Sequence, residues 1–141
     1  MQFSGKSVII TGAGKGIGRA CARLMASYGA EVVALSRTGS DLDSLRAEIG
    51  GRSIRVDLAD AAATRAAMAE AGPADYLINS AGINVLESVL DMTEAGYEAV
   101  LGINLRAALL TCQEFARARV AAGGGGAIVN ITSIAGHRGF Q

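Results

Sequence analysis

The run Thr11-Gly12-Ala13-Gly14-Lys15-Gly16-Ile17-Gly18 places four glycines in eight residues, between a short apolar segment and the start of a helical pattern. A turn so placed is suited to holding a phosphate. Gly12 is free to adopt the positive φ of a tight turn, which a side chain would penalise. Gly16 lets the main chain approach a pyrophosphate closely, and Gly18 lets the helix lie near the strand. The helix beginning at about Gly16 then presents free N–H groups and a positive dipole end to that anion. A purely structural turn is the competing account, and the strand before the run and the amphipathic helix after it favour the phosphate site. No Gly-Lys-Ser/Thr closes the run, so it is not a Walker-type loop.

A second group of polar residues, Ser36-Arg37-Thr38, ends the next apolar segment. In a fold that binds NAD, an Asp or Glu near this point accepts hydrogen bonds from the adenosine ribose hydroxyls. None stands at that strand end. Arg37 instead offers a planar cation suited to a 2′-phosphate, and Ser36 and Thr38 offer hydroxyl donors. Lys15, inside the glycine turn, adds a second positive charge facing the same pocket. Either residue alone could be an ordinary solvated cation. Together, with the acid missing, they suit a 2′-phosphate better than free ribose hydroxyls.

Further along, Asp57 closes a third apolar segment, where a loop or capping acid is the plain alternative. Asn104 interrupts the apolar face of a long helical pattern. A buried amide left unpaired costs about 1–3 kcal/mol, so this one should be hydrogen-bonded. Ser133 follows the last apolar run, in Asn130-Ile131-Thr132-Ser133-Ile134-Ala135-Gly136. Strand C-terminal ends are where doubly wound sheets place their ligands, although serines in such loops are common. The single histidine, His137, reads as an exposed loop residue, and no cluster of His, Cys, Asp and Glu has metal-ligand spacing.

These residues need elements to hold them, and the sequence alternates short β-type runs with longer helical ones. Strands are expected over Ser7–Ile10, Glu31–Leu35, Ser53–Val56, Asp75–Ile78 and Ala127–Ile131. Helices are expected from Ile17 to Tyr28, from Asp41 to Ile49, and from a cap at Asp60 to Ala71 before Gly72-Pro73. Thr93 can cap the longest helical region, which reaches about Val120 with Leu101, Leu105, Ala108, Leu109, Cys112 and Phe115 on one face. Gly123 to Gly126 form a flexible connection. Apolar, non-alternating strands separated by helices indicate an α/β fold, a doubly wound parallel sheet of Rossmann type with helices on both faces, in a single domain over 1–141.

Composition narrows the function classes. Of 141 residues, 50% are hydrophobic and 18% charged, which argues for a packed domain. Thirteen basic residues balance thirteen acidic ones without any charge run, so nothing marks the chain for nucleic acid or a membrane surface. Two cysteines do not make a disulfide scaffold, and neither a signal core nor an apolar span is present, so a cytoplasmic protein is expected.

The spacing Thr-Gly-x-x-x-Gly-x-Gly at Thr11–Gly18 resembles the short-chain dehydrogenase/reductase family, and differs from the Gly-x-Gly-x-x-Gly of long-chain dehydrogenases. Asn79-Ser80-Ala81-Gly82 resembles that family's Asn-Asn-Ala-Gly motif, with Ser80 in place of the second Asn. The resemblance implies an NADP(H)-dependent oxidoreductase that moves hydride between the cofactor and a carbonyl or alcohol substrate. It implies that Gly12, Lys15, Gly16, Ile17, Gly18, Ser36, Arg37, Thr38, Asp57, Leu58, Asn79, Ala81 and Gly82 hold the cofactor, with Asp57 on the adenine amino group. It also implies that Asn104 holds a water linked to an active-site lysine, and that Ser133 hydrogen-bonds the substrate carbonyl oxygen. The family's proton donor is the Tyr of a Tyr-x-x-x-Lys, which occurs nowhere in these residues. The last strands and helices of the family are likewise absent, so the chain is expected to be the N-terminal part of a longer homo-oligomeric enzyme, a tetramer or dimer, and inactive alone. Within the family the run Thr11–Arg19 and Ser36-Arg37-Thr38, followed by Asp41-Leu42-Asp43-Ser44-Leu45, look most like the L-xylulose reductase/dicarbonyl reductase branch, with sugar dehydrogenases and 3-oxoacyl carrier-protein reductases near it. A non-catalytic dinucleotide-binding or interaction module is the alternative.

Overall fold

The computed structural model describes residues 2–136. Five strands, β1 (Ser7–Thr11), β2 (Glu31–Ser36), β3 (Arg52–Arg55), β4 (Tyr76–Asn79) and β5 (Ala127–Asn130), form one sheet in the order β3-β2-β1-β4-β5. Every neighbouring pair is parallel, with Ile9 opposite Val33 on one side and Leu77 on the other. The central strands β1 and β2 are apolar without alternation because both faces of the sheet are covered there. Successive residues of β1 serve opposite cores. Ile9 packs with Val33, Leu35, Leu77, Met68 and Phe115. Val8 and Ile10 pack with Val32, Ala34, Ala22, Leu42 and Leu45.

The second of these cores lies under α1 (Gly16–Ser27) and α2 (Gly39–Ile49), and the first under α3 (Ala61–Ala71) and the long helical region after Thr93. β1 pairs with both β2 and β4, so the chain reverses its winding direction across β1 and β4. The C-terminal ends of those two strands therefore flank the crevice in which such sheets bind ligands. β5 is exposed at all four positions.

Both expected helix caps are present. The Asp60 carboxylate accepts from the amides of Ala62 and Ala63 at 2.8 and 3.0 Å, and the Thr93 hydroxyl accepts from Gly96 at 3.0 Å. The expected β3 and β4 are each displaced by one residue; Asp75, just before β4, accepts on its carboxylate from Ser7 N and Lys6 Nζ. Those two donors hold its acid below the usual carboxylate range.

The long helical region departs from expectation. It is divided into α4 (Glu94–Leu101), a π-helical segment over Gly102–Ala107, and α5 (Ala108–Ala121). The wide turn inserts about one residue and rotates α5 relative to α4. Leu105 and Leu109, expected on the buried face, are accordingly 62% and 64% exposed, while Ile103, Ala107, Leu110 and Phe115 face the core. Among the described residues, no helix is long and apolar enough to cross a membrane.

Candidate functional site

The glycine turn is pressed against the ends of three other segments. Gly12 has φ of 66°, and a Cβ there would stand 2.8 Å from Ala81 Cα and N. A Cβ at Gly14 would meet Ser36 Oγ at 2.7 Å and Asp41 Cβ at 3.0 Å. One at Gly18 would lie 2.8 Å from the carbonyl carbon of Gly12. Gly16 is different, with φ of 54° and open space where its side chain would be. Three glycines thus allow close packing, and the fourth leaves room. The buried Thr11 hydroxyl accepts from the amides of Ser80 and Ala81 at 3.1 and 3.2 Å, which joins the ends of β1 and β4. Ala13 N donates to Leu35 O at 3.1 Å and joins the turn to β2.

Beside this turn lies a cleft of about 360 Å³. Of the residues expected to hold a cofactor, Gly12, Lys15, Gly16, Ser36, Arg37, Thr38, Leu58, Ala81 and Gly82 line it. Asp41, Val56, Ser80, Ile83 and Ile103 line it as well and were not expected. Val56, Leu58 and Ile103 give the cleft an apolar wall; Lys15, Arg37 and Asp41 are the charged residues of its lining. Lys15 Nζ stands 3.4 Å from Asp41 Oδ2. Arg37 has no ion pair among the described residues, and its carbonyl accepts from Arg55 Nε at 3.0 Å.

One guanidinium ties the two lips of the cleft together. Arg19 Nη1 donates to Gly14 O at 3.1 Å and to Asp41 O at 3.2 Å, and Nη2 reaches Ser44 Oγ and the Glu48 carboxylate. Glu48 also pairs with Arg23 at 2.6 Å. Hydrogen bonds from Arg23 and then Arg19 hold the Glu48 acid down at about 2. A carboxyl lowered in the folded state stabilises the fold above its unfolded pKa of about 4.3, and that contribution is lost as pH falls through the folded value. The melting temperature of the parent is therefore expected to exceed that of Glu48→Gln at neutral pH, with the gap closing between about pH 5 and pH 2. A gap that persists undiminished at pH 2 would contradict this account.

The remaining expected residues lie outside the cleft lining. Asn79 is buried, donates to Asn130 Oδ1 at 2.9 Å and accepts from Thr111 Oγ1 at 2.8 Å, so its amide braces β4 against β5 and α5. Cys112 joins the same cluster at 3.3 Å from Asn79 Nδ2, and burial raises its thiol pKa. Asp57 Oδ1 accepts from Ala59 N at 3.0 Å, the loop-capping role that was its plain alternative. Ile17 is 61% exposed and Gly18 is buried in the turn's packing. Asn104, in the π-helical segment, is exposed and not buried on an apolar face as expected; it accepts from Ile83 N and donates to Ile83 O, both at 2.9 Å, and so clamps a residue that lines the cleft. Ser133 is exposed beyond β5, and its Oγ accepts from Ala135 N at 3.1 Å. His137 lies outside the described residues. Asp41 and Arg19 were missed because their roles depend on contacts across 22 or more residues; the Asp41-Leu42-Asp43 segment reads locally as no more than an acidic helix start.

Comparison with known proteins gives concordant results. A family model described as "short chain dehydrogenase" matches residues 6–141. The chain is 43% identical to L-xylulose reductase of Bos taurus over 99% of its own length and 58% of the relative's. It is 44% identical to D-erythrulose reductase of Gallus gallus, covering 100% of itself and 58% of that protein. It is 40% identical to Carbonyl reductase [NADPH] 2 of Sus scrofa, over 97% and 57%. Among solved structures, a short chain dehydrogenase/reductase family protein superposes with a TM-score of 0.93 at 37% identity, covering 99% of this chain and 60% of that one. A short-chain dehydrogenase/reductase from Serratia marcescens superposes with a TM-score of 0.89 at 29% identity, over 98% and 59%. The chain thus spans about 58% of the length of the curated relatives it matches.

Proposed function

The chain belongs to the short-chain dehydrogenase family, and from that premise we propose that it forms the NADP(H)-binding part of an oxidoreductase that interconverts a carbonyl and an alcohol. The observation that carries the proposal is the convergence of Lys15, Ser36, Arg37 and Thr38 on the cleft that Gly12 and Gly16 also line. The residues present suit a dinucleotide. The space left open at Gly16 admits a diphosphate beside the start of α1, whose N-cap residue, Lys15, offers no side-chain acceptor to the first amides. Lys15 and Arg37 with the two hydroxyls provide for a 2′-phosphate. Val56 and Leu58 provide an apolar surface for an adenine, with Asp57 between them as acceptor for its amino group. Asn79 acts behind the site, and the main chain at Ala81 and Gly82 passes the ribose.

Bound NADPH supplies the hydride in this chemistry. The protein's part is to orient and to stabilise charge. Ser133 Oγ accepts a hydrogen bond from Ala135 N, which leaves its own proton free to donate to a substrate oxygen. Asn104 is a positioning residue; one N–H of its amide is used on Ile83 and the other is available to a water. Residues 1–141 contain no Tyr-x-x-x-Lys, so we assign to this chain alone the binding of cofactor without turnover. The relatives' names, L-xylulose, D-erythrulose and carbonyl reductase, support a sugar or other small ketone as the substrate class. Exposed Leu105 and Leu109 support assembly of the longer protein as a homo-oligomer.

Titration with NADPH and NADH tests the cofactor assignment. Tighter binding of NADPH, by about tenfold or more, is expected from charge-assisted contacts to one additional phosphate. Equal affinities would defeat the assignment.

A further inference from the structure

We propose that Asp41 sets how strongly this site discriminates a phosphorylated from an unphosphorylated adenosine ribose, by competing with the 2′-phosphate for Lys15. The inference rests on the reading of Lys15 and Arg37 as the ligands of that phosphate. Asp41 lines the cleft, and Lys15 Nζ lies 3.4 Å from its carboxylate. The two partners are held very differently. Asp41 is fixed by its main chain, whose carbonyl accepts from Arg19 Nη1 at 3.2 Å. It is also pressed close to the glycine turn, so that a Cβ at Gly14 would come within 3.0 Å of Asp41 Cβ. Its side chain is only 22% exposed, whereas that of Lys15 is 78% exposed. The aspartate is the fixed member of the pair, and the lysine is free to swing.

The consequence is electrostatic. Lys15, Arg37 and Asp41 together give this end of the cleft a net charge of +1, and removing the carboxylate would raise it to +2. A phosphate near this group must draw Lys15 away from Asp41 and also bear the repulsion of a fixed negative charge a few ångströms away. An unphosphorylated ribose meets neither penalty. Its hydroxyls instead find a carboxylate acceptor, the chemistry that an acid at the end of the second strand supplies in NAD-binding folds. Here the acid stands in the first turn of α2, three residues beyond Thr38, so NADP(H) selectivity is reduced without being reversed. Asp41 also complements the dipole of α2, but a change in helix stability would affect both cofactors equally.

The test titrates NADPH, NADH and 2′,5′-ADP into the protein expressed from its complete reading frame, as parent, Asp41→Asn, Lys15→Met and the double variant. Asp41→Asn is expected to tighten NADPH and 2′,5′-ADP by about three- to tenfold at low ionic strength, with a smaller gain at high salt. NADH affinity is expected to stay unchanged or to fall. In the Lys15→Met background most of the gain should disappear. NADPH affinity that is unchanged or weaker in Asp41→Asn overturns the inference, as does an equal gain for NADH or a full gain without Lys15. A parent that shows no preference for NADPH overturns the cofactor assignment itself, and the role of Asp41 falls with it. A parent that prefers NADPH with no response to Asp41→Asn rejects Asp41 alone.

Discussion

Arg37→Ala is expected to weaken NADPH binding by about 10- to 100-fold while changing NADH binding by less than about threefold. Arg37 lines the cleft and has no ion pair among the described residues, so its guanidinium is not neutralised before a ligand arrives. Arg55 Nε holds its carbonyl at 3.0 Å, which fixes the segment while leaving the side chain to the ligand. Truncation therefore removes charge-assisted contacts with little loss to the fold. Lys15 should contribute less. Its ammonium is strongly hydrated, its side chain is 78% exposed, and Asp41 already holds it. Arg37→Lys should recover only part of the affinity, because a point charge does not replace a planar fork. The measurement is a pair of binding curves for each variant. A parallel loss for NADPH and NADH would show that Arg37 supports the site without reading the phosphate.

Gly18→Ala should have the largest effect on the fold. The added Cβ would stand 2.8 Å from the carbonyl carbon of Gly12 and nearer still to its oxygen. Both are main-chain atoms of the phosphate turn, so no rotamer change relieves the clash. Overpacking of this kind costs about 1–3 kcal/mol and more where backbone must move. We expect at least about 3 kcal/mol in urea unfolding, or failure to fold. Gly16→Ala provides the contrast. Its φ of 54° penalises a side chain by about 1–2 kcal/mol, but open space surrounds the position. That variant should fold and bind both cofactors poorly, because the methyl group enters the room left for the diphosphate. A Gly18→Ala protein as stable as the parent would contradict the packing described for the turn.

The alternation of strands and helices and the parallel, doubly wound sheet were legible in the sequence to the extent that local chemistry carried them; the strand order was not. Apolar runs such as Ser7–Ile10, followed by glycines or by Ser36-Arg37-Thr38, have few readings other than a buried parallel strand ending at a ligand. The long helix was misread at Leu105 and Leu109 because a 3.6-residue period assumes an uninterrupted α-helix, and the π-helical segment at Gly102–Ala107 breaks that phase. Asn104 shows the same limit. It was expected as a buried amide in need of a partner; it is exposed, and the partner it has is the main chain of Ile83. Asp41 and Arg19 were invisible for a related reason. The segments that contain them mark the branch of the family, but their contacts at the site arise only when α1, α2 and the glycine turn are brought together.

Thr11 joins the two halves of the sheet at their C-terminal ends. Its buried hydroxyl receives two amides from residues 80 and 81, at the point where the chain reverses its winding. Those amides follow the last residue of β4 and have no strand partner to satisfy them. A methyl in place of the hydroxyl would leave both without an acceptor, while the pairing of Thr11 with Asn79 stayed intact. The crevice floor would then become a seam along which β1 and β4 could part from their C-terminal ends. One oxygen atom, touching nothing that reacts, would be the rivet that keeps a ligand-binding crevice from acting as a crack.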